Sequence, residues 1–141
     1  MNEKYFGPMM KKISEELDRK ANLQIKKYNL TLTQARVIIF LADNEGRMVT
    51  QKELEDFLQV SHPTTVTIVK SMEAKKMIKT SLDDADRRMK NIQLVWGNET
   101  IYHELVENAK NMERKLLTGF SDEEKGQFYA FLCKAYENAM T

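Results

Sequence analysis

Few side chains in this 141-residue sequence are placed to do covalent chemistry. The two histidines, His62 and His103, stand far apart and not at metal-ligand spacing. Cys133 is the only cysteine, so no internal disulfide forms. Among its apolar neighbours it reads as a buried packing residue. There is no glycine-rich phosphate loop, nucleophile motif or clustered His/Asp/Glu set. No catalytic residue, no metal and no cofactor is therefore expected. What remains is anion chemistry. In "SLDDADRRMKNIQL" (81–94), Arg87 and Arg88 follow Asp83, Asp84 and Asp86, and a polar–apolar alternation comes next. An arginine fork matches phosphate oxygens, and Asp86 can hold an arginine extended through a charge-assisted hydrogen bond.

The charge distribution agrees. The net charge of +1 hides an asymmetry. Segment 60–92 carries Lys70, Lys75, Lys76, Lys79, Arg87, Arg88 and Lys90 against Glu73, Asp83, Asp84 and Asp86. Segment 99–141 is net acidic. A basic middle is the footprint of a nucleic-acid face. Lys75, Lys76 and Lys79 read as solubilising surface rather than as direct contacts.

The elements that must position these residues are mostly helices. Phe6, Met10, Ile13, Leu17, Ala21 and Ile25 form one apolar stripe on a helix over about 6–28. Thr31 with Gln34, and Thr50 with Glu53, have capping-box spacing and open two more helices. Val37, Ile38 and Leu41 face the core from the first of these, and Asn44 and Gly46 end it. Leu54, Phe57 and Leu58 form the short apolar face of the second. A tight turn at Gln59 and Val60 follows. Ser61 then caps a helix that tolerates Pro63 in its first turn and buries Thr65, Ile68, Val69 and Met72. Two short helices joined by a tight turn make a helix-turn-helix pattern. Ile78, Thr80 and Leu82 alternate, as do Ile92 and Leu94, so the charged stretch is the tip of a hairpin. Two helices close the chain, with stripes Ile101, Leu105, Ala109, Met112, Leu116 and Phe128, Phe131, Leu132, Ala135, Ala139. Ser121 with Glu124 caps the last.

The expected fold is mainly α with a small β-hairpin wing: a winged helix-turn-helix core plus a helical dimerisation region. Its segments are 1–30, an N-terminal dimerisation helix; 31–96, the DNA-binding domain; and 97–141, the C-terminal dimerisation helices. A wing tip beside a recognition helix reaches an adjacent minor groove, whose negative potential favours an inserted arginine.

In "NLTLTQARVIIFL", "VTQKELEDFLQVSHPTTVTIVKSMEAKKMI" and "DADRRMKNIQL" the chain resembles the MarR family of transcriptional regulators, over nearly its whole length. Asp86, Arg88 and Leu94 stand where the family's wing signature has Asp, Arg and Leu. Within the family it looks most similar to the regulators of multidrug efflux pumps. The resemblance implies a homodimer intertwined through the first and last two helices, and binding to palindromic operator DNA, usually as a repressor released by a ligand. Three places depart from the family pattern. Thr64, Thr65 and Val66 stand where Thr-Val-Thr is common. Lys76 replaces a frequent glycine. After Leu94 come Val95, Trp96, Gly97 and Asn98 instead of Leu-Thr-x-x-Gly.

With Thr65, Ile68, Val69 and Met72 facing the core, the opposite face carries Ser61, His62, Thr64, Val66, Thr67 and Lys70. Small hydroxyls let a helix lie deep in the major groove, Val66 could touch a thymine methyl, and Lys70 suits phosphate. His62 could contact a base or a phosphate, or be only a solvated first-turn residue. Thr50 and Gln51, at a helix start, could hold phosphate on free amides. The wing adds Asp86, Arg87 and Arg88. Three long apolar stripes exceed what a small DNA-binding core can cover, which independently favours a two-fold dimer.

The expected partners are double-stranded DNA, a second copy of the chain and a possible small-molecule inducer. No cofactor is called for. No membrane is expected: no apolar run spans a bilayer, and the start lacks a secretion-signal pattern. A lone cysteine suits a reducing cytosol. Of the nine methionines, Met9, Met10, Met48, Met72, Met77 and Met112 could line an adaptable pocket, though any single one is more simply a packing residue. Phe6, Met9, Met10 and Ile13 are the candidate ligand pocket. The competing readings are a winged-helix module that binds proteins instead of DNA, and a DNA-binding activator without a ligand.

Overall fold

The computed structural model describes residues 5–95 and 97–141. Trp96, in the segment after Leu94, lies outside the described residues, as do residues 1–4. The chain divides into two compact units, Met1–Ala109 and Lys110–Thr141.

In the first unit, α1 (Phe6–Ile25) ends earlier than its apolar periodicity predicts, because Lys26–Tyr28 tighten into a 3₁₀ turn closed by Asn29 at φ 55°. Ile25 is the one buried residue of α1. Both capping boxes form. Thr31 Oγ1 accepts from the Gln34 amide at 3.1 Å and opens α2 (Leu32–Asp43). Thr50 Oγ1 accepts from the Glu53 amide at 3.1 Å and opens α3 (Gln51–Leu58). Each box satisfies amides that the first helical turn leaves without partners. Gln59, left-handed at φ 58°, turns the chain into α4 (His62–Ala74), with Ser61 as N-cap.

The sheet has one strand more than the hairpin expected. β2 (Ile78–Leu82) and β3 (Lys90–Leu94) pair antiparallel with Leu82 opposite Lys90. β1 (Val49–Thr50) adds to the far side of β3, giving the order β1-β3-β2. Two residues are too few to show alternation, and Thr50 is also the N-cap of α3, so its strand pairing has no local signal. The pairing ties the start of α3 to the wing.

Ile38, Leu54, Val69, Met72, Ile92 and Leu105 are fully buried and form one core with Val37 and Val49. Met72 and Met77 belong to that core, the simpler of the two readings for a methionine. Phe57, expected in the core, is exposed and stacks on Phe40 with ring centroids 4.3 Å apart. Gln34 joins the start of α2 to the end of α4: its Nε2 donates to Ser71 Oγ, and its Oε1 accepts from Lys75 Nζ at 2.8 Å. Lys75 Nζ also donates to the Asn29 carbonyl at 2.7 Å. Lys75 is thus exposed, as its sequence context suggests, and also fastens the end of α4 to the start of α2.

Lys76 sits at φ 59° between α4 and β2. A Cβ is disfavoured in that region by about 1 kcal/mol or slightly more. Lys76→Gly is therefore expected to raise the urea midpoint, by an unfolding free energy of about 0.5–1 kcal/mol after glycine's greater unfolded-state entropy is subtracted. An unchanged or lower midpoint would show that Lys76 makes up the strain elsewhere.

The second unit holds the end of α5 (Glu99–Leu116) and α6 (Asp122–Ala139). Ser121 and Glu124 form the expected capping box, and Phe120 stacks on Phe128. No residue of α6 is buried. Cys133 is accordingly exposed, contrary to the packing role its neighbours suggest, and the large apolar side chains beside it, Tyr129, Phe131, Leu132 and Tyr136, are exposed as well.

Candidate nucleic-acid interface

The amino end of α3, the amino half of α4 and the wing enclose one groove of about 420 Å³. Thr50, Gln51, His62, Val66 and Arg88 all line it. Residues that sequence reasoning assigned to three separate elements are thereby brought together. Ser61, Thr64, Thr67 and Lys70 lie outside the groove lining, on the exposed side of α4.

The wing tip is built by its aspartates. Asp83 Oδ2 accepts from the amides of Ala85 and Asp86, each at 3.0 Å, an Asx-type turn. Asp83 Oδ1 accepts from Asn91 Nδ2 at 3.0 Å, and Asn91 is buried on β3. Asp86 then grips Arg88 with both oxygens: Nε to Oδ1 at 3.0 Å and Nη2 to Oδ2 at 3.1 Å. The Arg88 amide also donates to Asp86 Oδ1. This is the bidentate fork expected for a fixed arginine, and the Arg88 side chain remains 90% exposed. Arg87 is exposed. Asp84 is exposed as well, whereas Asp83 and Asp86 are half-buried and serve as structural ligands of the turn.

Both structural aspartates ionise below their ordinary 3.8. The Asn91 amide, then the Asp86 and Ala85 backbone amides, depress Asp83. The Arg88 guanidinium and amide depress Asp86. A carboxylate with a depressed folded pKa stabilises its fold above the unfolded value and loses that stabilisation as pH falls through the folded value. The wing tip is therefore expected to be firm at neutral pH and to loosen below about pH 4. NMR chemical shifts and exchange of the Ala85 and Asp86 amides would follow it. Amides unmoved down to the pH at which the whole protein unfolds would rule this out.

On α4 the hydroxyls are partly committed. Ser61 Oγ and Thr64 Oγ1 lie 2.9 Å apart, so one of their two protons is used between them. Thr67 donates to the Pro63 carbonyl at 3.1 Å. Thr67 thus offers a base edge an acceptor, while one proton of the Ser61–Thr64 pair stays free to donate. Val66 is half-buried. Gln51 is buried, and as the first residue of α3 it presents a backbone amide that could hold a phosphate.

Two features of the groove have no signal in the sequence. Glu55 of α3 also lines it, with its carboxylate 3.1 Å from His62 Nδ1. Leu82 and Met89, exposed on the wing, line it too, so Val66 is not the lone apolar contact there. The cations of the lining are Lys52, Arg88 and Lys90.

Phe6, Met9, Met10 and Ile13 lie exposed on α1 and line neither this groove nor the other large cavity of the first unit. That second cavity, of about 400 Å³, lies among Leu41, Val49, Ile92, Leu94, Tyr102 and Val106. Among the described residues, no group of His, Cys, Asp and Glu could hold a metal ion. No described helix is long and apolar enough to cross a membrane.

A two-helix turn backed by a three-stranded wing defines a winged helix-turn-helix protein. Residues 28–89 match the family model described as "MarR family". The uncharacterized HTH-type transcriptional regulator YwoH of Bacillus subtilis (strain 168) is 32% identical over 110 residues, 78% of this chain and 78% of that protein. Among solved structures, S. aureus MepR in its DNA-binding conformation superposes with a TM-score of 0.91 at 26% identity, over 96% of this chain and 99% of that one. The S. aureus MepR–DNA complex gives 0.86 at the same identity and coverage. The chain belongs to the MarR family: it is a transcriptional regulator and not an enzyme.

Proposed function

We propose that this regulator binds palindromic double-stranded DNA as a homodimer, acts as a repressor, and is released by a small lipophilic ligand. One observation carries the DNA reading: the amino end of α3, His62 and Val66 of α4, and the aspartate-held Arg88 border a single groove. The similarity to a MepR structure solved with DNA supports it. Ser61, Thr64, Val66 and Thr67 would face base edges. Thr50, Gln51 and Lys70 would meet phosphates, and Arg87 and Arg88 would enter the minor groove, with Asp86 bracing Arg88. Leu82 and Met89 suit the apolar sugar walls of that groove as well as they suit a protein surface. The clustered cations favour DNA over the protein-binding alternative.

Residues 31–96 would then be the DNA-binding domain, flanked by dimerisation segments 1–30 and 97–141. The uncovered apolar residues of α1 and α6 support that division. Phe6, Met9, Met10 and Ile13 remain the proposed ligand contacts on α1.

Fluorescence anisotropy tests the proposal, with the protein titrated onto DNA from upstream of its own gene and onto a scrambled control at two salt concentrations. Tighter, salt-sensitive binding to the upstream DNA is expected. A lipophilic cation that weakens it would support release by ligand. Equal, weak binding to both DNAs would favour a protein partner.

A further inference from the structure

Glu55 is out of place in a phosphate-facing groove. An acid there repels the DNA backbone, yet its side chain is only 13% exposed and directed at His62, whose own side chain is 65% exposed. Neither a solvated surface glutamate nor a base-reading one fits that burial, because a side chain so covered does not reach a base edge. Its carboxylate meets the imidazole, with Oε2 3.1 Å from Nδ1. A carboxylate only accepts hydrogen bonds, so Nδ1 carries the proton in this pair. That fixes the rotation of the ring and, when the ring is neutral, its tautomer. Nε2 is left on the outward side of the first residue of the recognition helix.

We propose that Glu55 is a positioning residue that makes His62 a base reader: it fixes the ring with Nδ1 inward and Nε2 outward, so that in the neutral ring Nε2 is a hydrogen-bond acceptor. The bases that answer an acceptor in the major groove are those with an exocyclic amine, adenine through N6 and cytosine through N4. A phosphate, which has no proton to give, does not answer it. The pair therefore trades general affinity for selectivity, since its negative charge weakens binding to any backbone while its geometry rewards one kind of base edge. This rests on the DNA-binding reading above and adds a role that reading leaves open for His62.

The test is selection from a random DNA pool by the full-length wild type and by Glu55→Ala, Glu55→Gln and His62→Ala. Affinities are then measured for the selected and for a scrambled sequence, and thermal melts check that each variant is folded. Wild type is expected to enrich adenine or cytosine at one position per half-site. Glu55→Ala and His62→Ala should lose the preference at that same position, lowering the specific-to-scrambled ratio by about fivefold per half-site, the worth of one ordinary hydrogen bond. The two changes combined should cost no more selectivity than either alone. Glu55→Gln keeps an oxygen that can accept from Nδ1, so it should retain the preference. Both Glu55 variants should bind scrambled DNA more tightly than wild type. A purely structural role for Glu55 would change melting without moving one base preference. If Glu55→Ala enriches the wild-type sequence, the inference is overturned while the DNA reading stands. If wild type enriches no sequence, both fall.

Discussion

Arg88→Ala is expected to weaken binding to operator DNA by about ten- to hundredfold for each half-site in moderate salt, an effect typical of losing one charge-assisted hydrogen bond there. Melting temperature should change little and oligomeric state should not change, because among the described residues the Arg88 side chain bonds only to Asp86 and is otherwise in solvent. The salt dependence separates this from a folding defect. Removing one phosphate-neutralising cation lowers the slope of log K against log salt by about 0.9, so a dimer without its two Arg88 side chains should show a slope smaller by nearly 2. Asp86→Ala makes the complementary case. It leaves the guanidinium in place but removes both oxygens that hold it, and it frees the Arg88 amide. Affinity should fall less than in Arg88→Ala while the slope stays near the wild-type value. Anisotropy titrations at three or more salt concentrations read both quantities. Wild-type affinity in Arg88→Ala would remove the wing from the interface.

The contrast between these two residues and Asp83 shows which parts of the molecule are legible in the sequence. Asp86 and Arg88 are two positions apart, and a short-range pair can be inferred from spacing. So can the boxes at Thr31, Thr50 and Ser121, whose partners lie three residues on. Interactions across long separations leave no such trace. Asp83 reads as one more acid in a charged loop, but its partner Asn91 comes from the opposite strand. Lys75 reads as surface, but its ammonium reaches Asn29 and Gln34. Tyr102 falls off the apolar stripe of α5, yet it is buried, with its hydroxyl 2.9 Å from the Met77 carbonyl and 3.1 Å from that of Val95. Glu55 belongs with these. It lies seven positions before His62, and the left-handed turn at Gln59 brings α3 and α4 together so that they meet. Periodicity and capping chemistry thus identify the elements of the interface, while the contacts that orient its side chains depend on how those elements pack.

Cys133 marks a different limit, and it leads to the second large effect. Its neighbours on α6 are apolar, which predicts burial, but burial needs a covering surface. Phe131 is 67% exposed and Tyr129 72%, with Leu132 and Tyr136 exposed as well. A single soluble chain rarely leaves so much aromatic and aliphatic surface together in water. If a second copy is the cover, as proposed, Leu132→Asp places a charge on the covered face. The isolated chain is little destabilised, because Leu132 is exposed in it. The dimer should dissociate, and sedimentation should report a folded monomer. DNA binding should then fall by about 10²–10⁴-fold, because each recognition helix engages its half-site without the effective concentration supplied by the other. Arg88→Ala weakens both half-sites and leaves them coupled. Leu132→Asp leaves each half-site intact and removes the coupling, so its titration should show one-site binding to half-operator DNA at the affinity of an isolated wild-type half. A dimeric Leu132→Asp protein with wild-type affinity would place the two-fold interface elsewhere, and the exposed face of α6 would need another cover.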